Sequence, residues 1–138
     1  MKKKFLIVNA NYYRDISNGL LKSAKNLIPK NCKIKIINVP GVFEIPVTIS
    51  KNSRKYDAFI ALGCVIKGQT PHFDFISQAS TNAIMTLSVN LKKPIGNGII
   101  TCLNKKQASL RKKKGAEAVN AVLSVLSQKW ELLIIQKT

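Results

Sequence analysis

Residues Ala58-Phe59-Ile60-Ala61-Leu62-Gly63-Cys64-Val65-Ile66 form an unbroken run of apolar and small side chains that stops at Lys67-Gly68. A strand without polar alternation is covered on both faces, so this chain must supply helices on two sides of a sheet. The flanking sequence supplies them in alternation. Phe5 to Val8 is a shorter run of the same kind, ended by Asn9 and Asn11. Ile16, Leu20, Leu21, Ala24, Leu27 and Ile28 recur at helical spacing and predict a helix from about Arg14 to Ile28, closed by Pro29. Lys33 to Val39 reads as a second strand turned by Pro40-Gly41, and Glu44 to Ser53 as a short helix with Pro46 in its first turn. After the central run, residues 72–91 read as a long helix with Phe75, Ile76, Ala79, Ala83, Ile84 and Leu87 on one face. Pro94 to Cys102 reads as a fourth strand. Helices are expected from Lys105 to about Lys113 and from Ala116 to about Gln128. The segment Trp130 to Ile135 fits either a continued helix or an extended tail.

Strands alternating with helices imply right-handed crossovers and a mainly parallel, four-stranded α/β sheet with helices on both faces. At 138 residues, 46% of them hydrophobic, the chain is expected to form one domain over 1–138. Ligands of such sheets bind beyond the carboxyl ends of the strands, where the turns Asn9 to Tyr13, Pro40 to Glu44 and Lys67 to His72 fall.

The formal charge of +17 raises nucleic acid as a partner. The distribution argues against it. All but three of the 23 basic residues are Lys, scattered over every polar face, whereas base and phosphate forks favour Arg, present only as Arg14, Arg54 and Arg111. Aromatic residues do not interleave with them as stacking on unpaired bases requires. The excess charge is therefore expected to draw in small anionic substrates. No apolar run approaches the roughly 18 residues that span a bilayer, and the run after Met1-Lys2-Lys3-Lys4 is too short for a signal peptide, so no membrane partner is expected. Cys32, Cys64 and Cys102 lack CxxC spacing, and two of them sit in apolar runs. No metal site and a reducing, cytoplasmic setting are expected.

The chemistry gathers at the strand-ending turns. Gly63 to Phe73 carries an apolar strand through Gly68-Gln69-Thr70 to His72, the single histidine, at the start of the next helix. Backbone N–H groups at such a turn favour an anion, and a histidine beside them can move protons near neutral pH. Gln69 and Thr70 suit one phosphate, and the P-loop pattern of nucleotide sites is absent. Glu44 either accepts hydrogen bonds from ligand hydroxyls or is a favourable first-turn charge. Of Tyr12 and Tyr13, one can stack a flat heterocycle while the other packs. Arg111 with Lys112-Lys113-Lys114 is a solvated helix end unless a phosphate meets it.

Three segments together, Pro40-Gly41-Val42-Phe43-Glu44-Ile45-Pro46, Tyr56-Asp57-Ala58 running on through Ala61 to Phe73, and Lys114-Gly115-Ala116-Glu117-Ala118, resemble the 6,7-dimethyl-8-ribityllumazine synthase family over nearly the whole chain. The resemblance implies a flavodoxin-like fold and a cofactor-free transferase of riboflavin biosynthesis. Its substrates would be 5-amino-6-ribitylamino-uracil and 3,4-dihydroxy-2-butanone 4-phosphate, and its product would pass to riboflavin synthase. It implies that Tyr12 stacks on the pyrimidine, that Val42, Phe43 and Glu44 line the ribityl and ring site, and that Cys64, Val65 and Ile66 flank the ring. It implies Gln69, Thr70, Arg111 and Lys114 for the phosphate and His72 for proton transfer. It also implies a homo-pentamer, or a shell of pentamers, with each active site between neighbouring subunits.

Two positions depart from the family pattern. Asn97 stands in the fourth strand where many members carry an aromatic, and the Arg111 to Gly115 connection is several residues short. The short connection and the brief stretch before the first strand tilt the expectation toward a free pentamer. A non-enzymatic lumazine or flavin carrier would keep the stacking wall and have no need of His72 and Arg111, so their presence favours an enzyme.

Overall fold

The computed structural model describes residues 2–69 and 71–128; Thr70 and the segment 130–135 lie outside the described residues. Four strands, β1 (Lys4–Ala10), β2 (Lys33–Val39), β3 (Ala58–Ile66) and β4 (Ile95–Cys102), pair in parallel in the order β2-β1-β3-β4. Among the described residues five helices flank them: α1 (Arg14–Leu27), α2 (Ile45–Lys51), α3 (His72–Leu91), α4 (Lys105–Ser109) and α5 (Lys114–Leu126). A 3₁₀ turn, Val42–Glu44, precedes α2. The architecture is the parallel four-stranded α/β sheet expected from the alternating pattern, and its order is that of the flavodoxin-like fold implied by the resemblance.

Strand alternation divides the core into two layers. Phe5, Ile7, Ala58, Ile60, Leu62 and Cys64 face α1 and α5, meeting Ile16, Leu20, Ala24, Ala118, Val119 and Val122. Leu6, Val8, Ala10, Phe59, Ala61 and Val65 face α2 and α3, meeting Ile45, Ile49 and Ile84. These buried apolar side chains contribute most of the driving force for folding, roughly 1.5–3 kcal/mol for each large one.

Several boundaries differ from the sequence expectation. β1 continues past Val8 because Asn9, fully buried, donates from Nδ2 to Asn38 Oδ1 at 3.1 Å across the β1–β2 ladder, so the polar residue extends the strand. α4 ends at Ser109, four residues before the expected Lys113. Its start is held by the Asn104 side chain, which accepts from the Gln107 amide at 2.9 Å, and the chain then turns at residues 110–113. α5 begins at Lys114, two residues early, because Gly115 lies inside its first turn against α1, where a Cβ would strike the Leu20 carbonyl oxygen.

The inward face of α3 also differs. Phe73, Ile76, Ser80, Ile84, Leu87 and Leu91 turn to the sheet, whereas Phe75 is 64% exposed and Ala79 is exposed. With Met85 and Val89, Phe75 forms a second apolar stripe facing away from the core.

Candidate active site

From β1 the chain crosses to β2 on one side, and from β3 it crosses to β4 on the other. The turns after β1 and β3 therefore diverge and open a crevice at the carboxyl end of the sheet. A cavity of about 350 Å³ occupies it, lined by residues including Ala10, Tyr12, Val42, Phe43, Cys64, Val65, Ile66 and His72. Seven of these eight were expected from sequence. Ala10, together with Ile76, which also lines the cavity, was not, whereas Gly41 lines it from the Pro40 to Glu44 turn expected at the ligand end. Alternation past the end of the β1 run would have pointed to Ala10.

The two tyrosines divide their roles. Tyr12 is 74% exposed at the rim, while Tyr13 packs against the α1–α5 core layer. Their rings meet edge to face at 4.9 Å, and Lys105 Nζ lies 5.9 Å from the Tyr13 ring centroid. Burial first, then Tyr12 and Cys64, raises the Tyr13 phenol above its ordinary value, so it stays neutral. Phe43, 68% exposed, stands on the 3₁₀ turn and gives the rim a second aromatic.

The wall depends on a close approach. A Cβ on Gly63 would come within 2.6 Å of Val42 Cγ1 and 3.1 Å of Ala10 Cβ, so only glycine lets the 3₁₀ turn lie on β3. Beside it, burial and then Cys102 push the Cys64 thiol up to about 12. Cys64 is thus a protonated apolar wall group and not a nucleophile. Glu44 Oε1 accepts from the Gly41 N–H at 3.1 Å, and the Glu44 N–H returns to Gly41 O at 3.2 Å. One carboxylate oxygen thus closes the turn that carries Phe43. His72 is the first residue of α3, and the Pro71 carbonyl before it accepts the Asp74 and Phe75 amides at 3.1 and 3.2 Å. Gln69 is exposed in the loop ahead of it and does not line the cavity.

Asn97, Arg111 and Lys114 come together elsewhere, in a second cavity of about 540 Å³ that shares no lining residue with the first. Lys113, from the basic cluster, and Glu117, from the third motif, also line it, as do Ile99, Thr101 and Leu110, which were not singled out from sequence. β3 donates from Phe59 and Lys67 to the Pro94 and Cys102 carbonyls, so the odd-numbered backbone groups of β4 face away from β3. Side chains cover two of these outward groups. Asn97 Oδ1 accepts from the Ile99 N–H at 3.0 Å, and Arg111 Nη1 donates to the Thr101 carbonyl at 3.3 Å. Lys114 Nζ lies 3.8 Å from Glu117 Oε1, the one ion pair among the described residues. The candidate residues that line a cavity thus divide between an aromatic one with His72 and a cationic one at the sheet edge, and Glu44 and Gln69 line neither.

The sequence profile of the family described as 6,7-dimethyl-8-ribityllumazine synthase matches residues 2–129. The chain belongs to this family. Among relatives named 6,7-dimethyl-8-ribityllumazine synthase, the Agrobacterium fabrum protein is 40% identical over 144 aligned positions, covering 95% of this chain and 97% of its own. The Bartonella tribocorum protein is 41% identical over 140 positions, covering 94% and 93%. That of Rhodopseudomonas palustris is 41% identical over 140 positions, covering 92% and 86%. The lumazine synthase match spans both cavities, from Tyr12 of the first to Lys114 and Glu117 of the second.

Proposed function

We propose that the chain, acting as one domain over residues 1–138, is a lumazine synthase. It would be a transferase of riboflavin biosynthesis that condenses 5-amino-6-ribitylamino-uracil with 3,4-dihydroxy-2-butanone 4-phosphate and releases phosphate and water. The observation that carries this reading is the aromatic-rimmed cavity that has His72 in its lining, in a chain of this family. A pyrimidine stacks on exposed Tyr12 and Phe43 against the wall of Val42, Cys64, Val65 and Ile66. Glu44, next to Phe43 but outside the cavity lining, uses one carboxylate oxygen on Gly41 and has a second that can accept from the ribityl hydroxyls. The amine attacks the ketone to form an imine with loss of water, phosphate is eliminated, and ring closure expels a second water. These steps need a held geometry and a proton carrier, which is the role of His72. The phosphate is held by the Gln69-Thr70 turn with Arg111 and Lys114.

One subunit keeps the two halves in separate cavities, and this separation supports a homo-pentamer in which the aromatic half of each site meets the Asn97, Arg111 and Lys114 half of a neighbour. The second apolar stripe of α3 is surface of the kind that assembly buries. A cytoplasmic enzyme whose product goes on to riboflavin synthase fits its three free cysteines. No helix among the described residues is long and apolar enough to cross a membrane.

The test is direct. Purified protein mixed with both substrates should form the lumazine, followed by its absorbance, with phosphate released in equal amount. Absence of product above the uncatalysed rate would overturn the reading.

A further inference from the structure

We infer that Ser23 is a positioning residue for the phosphate-binding groups: its hydroxyl caps the first turn of α5, ties down the turn before it, and sets where Arg111 and Lys114 stand. The inference rests on the reading of those two side chains as phosphate ligands.

Ser23 belongs to α1, far from Arg111 in sequence, yet its Oγ reaches two backbone groups that bracket the cationic turn. The Ala116 N–H donates to Ser23 Oγ at 3.1 Å, and Ser23 Oγ lies 2.8 Å from the Lys112 carbonyl. Ala116 is the third residue of α5, so its N–H is one of the first-turn donors that have no partner within the helix. The Ser23 hydroxyl caps it and itself donates to the Lys112 carbonyl in the turn that leads into α5. The Leu20 carbonyl is also within reach at 3.1 Å, but the shorter contact ties α1 to that turn. One hydroxyl thus fixes how the chain enters the helix.

The neighbouring bonds are those of a tight turn entering a helix, each reaching three residues back. The Gly115 N–H reaches Lys112 O at a long 3.4 Å, whereas the Lys114 N–H reaches Arg111 O at 3.0 Å. Two glycines permit the approach. A Cβ on Gly115 would strike the Leu20 carbonyl oxygen and come within 2.6 Å of Ser23 Oγ, and a Cβ on Gly19 would strike the Lys112 stem. The hydroxyl therefore holds both ends of the 112–116 segment. Lys114 lies within that segment and Arg111 immediately precedes it, its guanidinium on Thr101 O. Without the hydroxyl, the Ala116 N–H loses its cap and the 112–116 segment loses this tie to α1, which frees Arg111 and Lys114 to leave their places at the β4 edge.

Steady-state kinetics of Ser23→Ala, Ser23→Thr and Arg111→Ala in the full chain, with inorganic phosphate as a competing ligand, tests this. Ser23→Ala should raise KM for the butanone phosphate about three- to tenfold and weaken inhibition by inorganic phosphate in step. Its kcat and its KM for the ribityl-uracil should stay within about twofold of the parent. Ser23→Thr, which keeps the hydroxyl, should behave as the parent, and Arg111→Ala should be impaired toward phosphate at least as strongly as Ser23→Ala. If Arg111→Ala is impaired and Ser23→Ala is not, the role of Ser23 falls while the proposed function stands. Equal losses toward both substrates, or a Ser23→Thr variant as impaired as Ser23→Ala, would also overturn the role. An Arg111→Ala variant with unchanged phosphate response would overturn the phosphate site and this inference with it.

Discussion

Arg111 donates from Nη1 to the carbonyl oxygen of Thr101 at 3.3 Å, on the side of β4 that faces away from β3. The bond anchors one arm of the guanidinium fork and leaves its other N–H donors for an anion. Exposed cations lose much of their binding advantage to conformational freedom, and a tethered guanidinium loses less.

Arg111→Ala should therefore raise KM for the butanone phosphate by roughly ten- to a hundredfold, the worth of one charge-assisted contact, with little change in affinity for the ribityl-uracil. Separate titrations of the two substrates check this. Equal loss for both would mean that the site had collapsed.

His72→Ala should lower turnover by about one to three orders of magnitude in a folded protein, since a positioned proton carrier contributes about 10² to 10⁴ and the uncatalysed condensation is already feasible. An unchanged rate removes His72 from the mechanism. Mixing and reassembling the His72→Ala and Arg111→Ala chains should restore part of the activity, because some interfaces then join two intact halves. A monomer in sedimentation at working concentration would sink the shared site.

Cys64 supplies a pH prediction. Its thiol is pushed up to about 12 in the folded protein by burial and by Cys102, above an ordinary value of 9.0. The folded state thus keeps a proton that the unfolded state releases above pH 9. The stability from this group is fully present below pH 9 and is lost as pH rises from 9 toward 12. Denaturation of Cys64→Ala against the parent should show a shallower decline over that window. At pH 8, alkylating reagents should label Cys32, which is only half-buried, well before Cys64. Equal labelling rates would contradict the buried, protonated thiol.

Lys92 caps the carboxyl end of α3 with φ 56° and ψ 36°, the left-handed region that L side chains enter at a cost of about 1–2 kcal/mol. Lys92→Gly should stabilise the fold by about 0.5–1 kcal/mol, read as a higher denaturant midpoint at unchanged slope. A lower midpoint would show that the Lys92 side chain contributes more than its backbone strain costs.

The fold was legible wherever burial imposes a period. The unbroken run Ala58 to Ile66 demanded two covering layers, and the helical spacing of Ile16, Leu20 and Ala24 named the face that supplies part of one. The period failed on α3, where Phe75 and Ala79 also lie at helical spacing and the sheet took Phe73, Ser80 and Leu91 instead. A helix with two apolar stripes does not say which of them meets its own chain. It failed again at Asn9, whose partner Asn38 is known only once β1 and β2 are in register.

The sequence by itself determined the strand-ending turns and the residue types they carry, because backbone punctuation and side-chain chemistry are local properties. Tertiary structure decided their grouping. Tyr12, Val42, Cys64 and His72 come from four separate segments and share one cavity because β1 and β3 lie side by side with their crossovers diverging. Asn97 and Arg111 are held apart from them at the outer edge of β4. The first turn of α5 is capped from another helix because α1 and α5 approach closely enough for the Ser23 hydroxyl to reach Ala116 and Lys112. Distances between segments far apart in the chain follow from the packing of the whole fold, and no local pattern of residues encodes them.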